Sequence, residues 1–168
     1  MNDIEARLEE ISRLKREFYH FDEWGIEKPT NPNIGATVDE LSLLRFGLIV
    51  PLPLEHALLL EKANGWVNIC LSASLLSTYQ INGEFGHFAR SRFSEILQLP
   101  IEKILPISVT DPVAQTFSCV SWIFGSAAAQ LVEVNEFGEQ IEYLDLVAML
   151  GRFEKSLSGR IDAATGQL

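Results

Sequence analysis

Apolar side chains at steps of three and four open the chain and predict an amphipathic helix over residues 2–21. The segment 25–35 contains two prolines and several polar residues that favour loops, so it predicts a linker after this helix. The positions that form the apolar stripe are Ile4, Leu8, Ile11, Leu14, Phe18 and Phe21.

Two further helices are predicted before the pattern changes. Thr37 and Glu40 have the spacing of a capping box, in which each side chain satisfies a free backbone N–H of the other residue. This pair predicts a second helix that reaches residue 47. A third helix is predicted over 54–63, and Asn64-Gly65 ends it because both residues tolerate the left-handed conformation found at helix C-termini.

The second half of the chain is dominated by strand patterns. Short apolar runs predict strands over 67–71 and 116–124, the latter rich in β-branched and aromatic residues. Segments 130–134 and 140–143, joined by a short polar loop, predict a β-hairpin. A closing amphipathic helix carries Leu146, Leu150, Phe153 and Leu157 on one stripe. Helices, then a meander of strands, then a helix indicate an α+β fold with a mainly antiparallel sheet packed by helices.

Charge changes the picture of what the fold can bind. The chain of 168 residues has 13 Lys+Arg against 23 Asp+Glu, a net charge of −10. Phosphate groups are bound mainly by lysine and arginine, so direct nucleic-acid binding and anionic membrane surfaces are disfavoured. Between Lys103 and Arg152 there is no lysine or arginine, although six acidic residues fall there. This acidity either keeps the protein soluble or attracts a basic partner.

The compartment is predicted from the same composition. No apolar run approaches the roughly 18 residues of a membrane span. The first residues are acidic and amphipathic, unlike a signal peptide. Cys70 and Cys119 are isolated from each other and do not make a disulfide framework. We therefore expect a cytoplasmic protein that does not associate with membranes.

A search for catalytic and metal-binding patterns predicts a protein without enzymatic activity or cofactor. His20, His56 and His87 share no ligand-like spacing with each other or with the cysteines. Segment 83–86 has two glycines, but Glu84 places an anion where a phosphate would sit, so this segment is predicted to be a turn.

One basic cluster, formed by His87, Arg90 and Arg92, is interleaved with phenylalanines. Such a mixture can bind a nucleotide or a single strand. The net charge favours the alternative, a solvated loop or helix face.

Residues 35–76 resemble the SUKH superfamily, which includes the Smi/Knr-type regulators and many bacterial immunity proteins. The match rests on motif residues that occur in the family's order: a helix that ends in a hydrophobic-Gly pair, then Leu-Pro, an acidic residue, a Phe-Leu pair whose place is taken here by two leucines, and Asn-Gly. These are Phe46-Gly47, Leu52-Pro53, Glu55, Leu59-Leu60 and Asn64-Gly65. His56 stands where the family has an aromatic residue, and the closing helix from Asp145 is similar to that of the family.

The resemblance implies a SUKH-like α+β domain over 35–168, with residues 1–25 as an added helical extension packed on it. It also implies a non-enzymatic protein-binding module. The favoured function is an immunity or inhibitor protein that neutralises a toxin domain, often a basic nuclease, through an acidic interface. A regulatory or scaffolding protein of the same fold is the alternative. Small-ligand binding or catalysis is a third hypothesis.

The acidic residues near the predicted hairpin are the candidate partner-binding residues. Glu136, Glu139 and Glu142 lie on or beside the hairpin with no basic neighbour in sequence, so they are the first choice for a surface that steers a basic partner. Glu84 and Asp111, which the pattern places in turns between strands, are second choices.

Overall fold

The computed structural model describes residues 3–21, 30–110, 117–125 and 128–166. Within these ranges the chain forms six α-helices and one six-stranded sheet. The helices are α1 (Asp3–Tyr19), α2 (Val38–Gly47), α3 (Leu54–Lys62), α4 (Thr78–Asn82), α5 (Glu84–Leu97) and α6 (Leu146–Thr165). The strands are β1 (Trp66–Cys70), β2 (Ala73–Leu75), β3 (Ile104–Thr110), β4 (Ser118–Ile123), β5 (Gln130–Asn135) and β6 (Gln140–Tyr143).

The sheet is a meander in which every strand pairs antiparallel with its neighbour in sequence, in the order β1-β2-β3-β4-β5-β6. The predicted α+β class with a helix-packed antiparallel sheet is confirmed. No helix in the described ranges is long and apolar enough to cross a membrane.

The predicted helix start at Thr37 is confirmed in atomic detail. The Thr37 hydroxyl accepts the backbone N–H of Glu40 at 3.2 Å, and the Glu40 carboxylate accepts the N–H of Thr37 at 2.7 Å. At the end of α3, Gly65 takes the predicted left-handed conformation with φ +88°. Residue Phe21, by contrast, lies beyond the end of α1 and is exposed rather than part of the buried stripe.

Replacing Thr37 with alanine is expected to lower the free energy of unfolding by about 1 kcal/mol, because the first turn of α2 loses one hydrogen-bond acceptor for its free N–H groups. Urea denaturation followed by circular dichroism measures the change. Ser42→Ala, an exposed change on the same helix, is the control and is expected to have a much smaller effect. Equal losses in the two variants would contradict a capping role.

The region between β2 and β3 differs from the sequence-based interpretation. Segment 83–86 is not a turn between strands: Gly83 separates α4 from α5, and Glu84 is the first residue of α5. A Cβ on Gly86 would lie 2.0 Å from the carbonyl oxygen of Ile81, so only glycine allows α5 to pack this closely on α4. The glycines therefore mark a tight helix–helix corner, which the sequence pattern alone does not distinguish from a loop.

Helices cover both faces of the sheet. All seven residues of β3 are buried, which requires cover on each side. The face that carries Ser108 and Val120 is covered by α6, while Phe117, with its ring edge on the ring of Phe88, is on the α5 side. The N-terminal helix α1 lies on α6 and contacts α3. Its buried residues belong to the same core cluster as the sheet: Ile4, Leu8, Ile11, Leu14 and Phe18.

Candidate functional site: an acidic hairpin with an exposed aromatic tip

The turn between β5 and β6 is held by one asparagine. The Asn135 side-chain oxygen accepts the backbone N–H groups of Phe137 and Glu139, each at 3.0 Å. Its side-chain nitrogen donates to the Glu139 carboxylate at 2.6 Å. Gly138 completes the turn with φ +79°. These bonds fix the turn in one conformation, because side-chain-to-backbone bonds of asparagine substitute for a regular backbone turn.

The tip of this hairpin presents an aromatic ring to solvent. Phe137 is 81% exposed and lies between Glu136 and Glu139 in the chain. An aromatic side chain held out by a fixed turn and flanked by carboxylates matches the arrangement of a protein interface, where an apolar anchor is surrounded by polar residues. Sequence reasoning missed Phe137. The signal for it was its position in a polar hairpin loop, where a phenylalanine has no core to enter.

The three predicted glutamates surround the hairpin rather than forming one patch. Glu139 lines a small hollow together with Glu133 of β5. Glu142 is paired with Val132, the residue next to Glu133, so it projects from the opposite face of the sheet and is exposed. Glu136 sits beside the start of β4, where its N–H donates to the Phe117 carbonyl oxygen at 3.0 Å.

A basic residue from α6 lies next to this surface. Arg152 contacts the Glu133 carboxylate at 3.4 Å and lines the same hollow as Glu139. Glu133 also accepts hydrogen bonds from the Ser118 hydroxyl at 2.8 Å and from the Tyr143 hydroxyl. Burial, and then the bond to Glu133, raises the pKa of Tyr143. Glu133 is thus engaged within the fold, whereas Glu139 and Glu142 are exposed to solvent.

A cleft continues from Glu133 between the sheet and α6, with a volume of about 220 Å³. Its lining mixes polar residues such as Ser108 and Ser156 with apolar ones such as Val120, and it includes Cys70. The other cysteine, Cys119, is buried, and burial raises the pKa of its thiol to about 12, so this thiol stays protonated at neutral pH. Within the described ranges, no group of three or more His, Cys, Asp or Glu residues could hold a metal ion.

The second-choice residues and the histidines lie elsewhere. Glu84 is exposed in the first turn of α5, in a hollow shared with His87 and Arg92, so it has basic neighbours. Asp111 lies outside the described residues. His20 is exposed just after α1, and His56 is fully buried in α3. The structure therefore does not bring the histidines together.

The motif residues of the SUKH resemblance have structural contacts. The Glu55 carboxylate accepts the backbone N–H of Leu146 at 3.1 Å and so ties α3 to the start of α6. Leu59 and Leu60 are buried, and the Asn64 side chain accepts the N–H of Thr78 at 2.8 Å. Comparison of the sequence with models of known families gives no match, and a search of curated proteins finds no similar sequence. Membership of the SUKH superfamily stays a prediction from the motif residues.

Proposed function

We propose that this chain is a non-enzymatic, cytoplasmic protein-binding module of the SUKH type that acts as an immunity protein and neutralises a basic toxin domain. The observation that carries the proposal is Phe137, exposed at the tip of a turn fixed by Asn135 and flanked by acidic side chains. The ring would supply the apolar anchor, and the carboxylates would form a rim that selects for a basic surface.

The charges favour a basic partner through the rate of encounter. Exposed carboxylates attract a positively charged domain over distances set by the Debye length, about 8 Å at physiological salt. Rim charges act mainly on association, whereas a buried aromatic anchor acts mainly on dissociation. Because Arg152 lies beside Glu133 and Glu139, and the Glu136 carboxylate accepts the Phe117 N–H at 3.4 Å, the attraction of a basic partner comes chiefly from the exposed Glu142, with smaller contributions from Glu139 and Glu136.

A regulatory or scaffolding protein with several partners is the alternative function. It is favoured by a second exposed apolar surface on α2, where Val38, Leu43 and Phe46 all face solvent. An immunity protein needs one tight, stoichiometric complex, whereas a scaffold uses both surfaces at once. A gene for a toxin beside the gene for this chain would support the first function.

Substitutions in the hairpin are expected to separate the effect of the aromatic anchor on dissociation from the effect of the acidic rim on association. The partner is first captured from the native source and identified by mass spectrometry, and its binding is then measured by surface plasmon resonance. Phe137→Ala is expected to speed dissociation about 10-fold to 100-fold, the effect of losing an interface hot spot. The combined change Glu136→Gln, Glu139→Gln and Glu142→Gln is expected to slow association and to flatten its decrease with salt.

The matched control removes the same charge from other exposed positions, with Glu9→Gln, Glu61→Gln and Asp39→Asn. It is expected to leave association nearly unchanged at physiological salt. An association rate that is independent of salt and unaffected by the triple change, together with unaltered dissociation of Phe137→Ala, would refute the proposed interface.

A further inference from the structure

A groove runs between the end of α2 and the α4–α5 corner. It consists of three adjoining hollows that all share Asn82, and two of them share His87 and Arg90. The first hollow has a volume of about 250 Å³ and the second about 500 Å³. We call this surface the α2–α5 groove and define it by Leu43, Ile49, Tyr79, Asn82, His87 and Arg90.

Within the described ranges, Arg90 of this groove has no carboxylate counter-ion. Its Nη1 donates to the Ile81 carbonyl oxygen at 2.9 Å, and within the described ranges no carboxylate forms an ion pair with it. Burial lowers the pKa of Arg90. Arg92, two residues further along α5, pairs with Glu95 at 2.7 Å. A half-buried guanidinium with only a carbonyl partner is costly, and its remaining N–H donors are suited to a carboxylate from outside.

The position of Arg90 is fixed by the helix corner. Gly86 brings α5 onto the carbonyl group of Ile81, the same group to which Arg90 donates. Ile81 itself is fully buried. The guanidinium is therefore presented by a rigid element rather than by a loop, which lowers the entropy lost when a ligand binds.

The groove also carries exposed apolar side chains. Ile49 lines the first hollow together with Arg90, while Leu43 and Tyr79 line the second, and Tyr79 is 85% exposed. Exposed apolar side chains that cluster mark an interaction site more often than isolated ones do. The groove thus combines exposed apolar side chains with an arginine that has no carboxylate partner within the described ranges.

Two glutamates beside Arg90 limit the negative charge of any ligand that can bind in the groove. Glu84 and Glu102 line it, neither forms an ion pair within the described ranges, and both would repel a polyanion. His87 is exposed beside Arg90. The net charge of the rest of the molecule matters less, because carboxylates beyond about 8 Å are screened at physiological salt. A single carboxylate is complementary to this site, whereas a phosphate chain or a nucleic acid is not.

We propose that the α2–α5 groove binds a peptide segment of a partner protein, with one carboxylate on Arg90 and apolar side chains on Leu43, Ile49 and Tyr79. None of the residues that define this groove belongs to the hairpin, and the groove has the opposite charge preference.

The test uses the full chain and synthetic octapeptides that contain one aspartate and two leucines in every relative spacing, on an alanine–serine background. Peptides that bind on an array are labelled with fluorescein and titrated by fluorescence anisotropy. We expect at least one peptide to bind about tenfold more tightly than its asparagine counterpart, the effect of a charge-assisted hydrogen bond. Arg90→Gln is expected to abolish this preference for the acidic peptide. Tyr79→Ala is expected to lower the affinity for both the acidic peptide and its asparagine counterpart.

Two control variants separate the groove from the rest of the surface. Arg16→Gln removes an exposed arginine of α1, and Glu9→Gln removes an exposed carboxylate of the same helix; neither is expected to change peptide binding. Tyr79→Ala alters an exposed side chain, so it tests the groove even where Arg90→Gln fails to fold. The proposal is overturned when no peptide binds, when acidic and amide peptides bind equally, or when inorganic phosphate or a single-stranded oligonucleotide displaces the peptide at equimolar concentration.

Discussion

Ile11→Ala is expected to lower the free energy of unfolding of the whole chain by about 2–5 kcal/mol, the range for deleting a buried aliphatic side chain. Ile11 is 0% exposed and belongs to the same core cluster as the sheet residues. The cavity left by the change would therefore weaken the entire domain. Urea denaturation in a Trp24→Phe background, followed by circular dichroism and by tryptophan fluorescence, measures it, because the two remaining tryptophans, Trp66 and Trp122, lie in the sheet.

The same experiment tests the division into an extension over 1–25 and a domain over 35–168. Both probes are expected to shift together, as in a two-state transition. The control is Glu9→Ala, an exposed change on α1 that is expected to stay within about 0.5 kcal/mol of the unmodified chain. A loss of helical signal that precedes an unshifted fluorescence transition would instead show that α1 unfolds as a separate extension.

His56→Leu is expected to make the protein more resistant to acid. His56 is 0% exposed, and within the described ranges neither ring nitrogen has a hydrogen-bond partner. Burial lowers its pKa from 6.5 to about 3. Between these values the unfolded chain binds a proton that the folded chain does not, so the free energy of unfolding falls as the pH falls, by roughly 1.4 kcal/mol per pH unit.

The measurement compares denaturation midpoints at pH 7.5 and pH 5.0. The unmodified chain is expected to lose about 2 kcal/mol more than His56→Leu over this interval. Carboxylates that titrate in the same range are common to both proteins and cancel in the difference. His20→Gln, at an exposed histidine, is expected to follow the unmodified chain. Identical pH dependence in His56→Leu and the unmodified chain would mean that His56 is protonated inside the fold.

Local patterns were sufficient where an element depends on its own residues. The capping box at Thr37 and the hairpin closed by Asn135 and Gly138 were predicted because their hydrogen bonds join residues two to four positions apart. The buried stripe of α6 was equally clear.

The elements that were missed depend on distant contacts. Strand β3 contains Pro106, which normally disfavours a strand, and the register shift between Pro106 and Ser108 accommodates it. Because all of β3 is buried, it also lacks the alternation that identifies a half-exposed strand. The start of helix α5 contains Gly86 and follows Gly83, and glycines normally indicate a loop. The reason for Gly86 is its close contact with the Ile81 carbonyl group, which leaves no room for a Cβ and is visible only in the structure.

The candidate site was predictable only in part. The acidic character of the hairpin is a property of sequence, but the position of Arg152 beside Glu133 and Glu139 depends on how α6 crosses the sheet. The opposite faces of Glu142 and Glu133 follow from a register that a composition argument does not contain. Arg90 was noticed as part of a basic cluster, yet only its burial and its single carbonyl partner distinguish it from Arg92.

The packing of α1 on α6 has a consequence for synthesis on the ribosome. Arg7 of α1 bonds to Glu154 of α6, 147 positions later in the chain. At a translation rate of about 5–20 residues per second, roughly 7–30 s separate the synthesis of the two helices. During that interval the meander can form progressively, since each strand pairs with the one made just before it. The apolar stripe of α1 meets α3 earlier but packs mainly on α6, so much of it stays uncovered, and open to chaperones, until the last helix emerges.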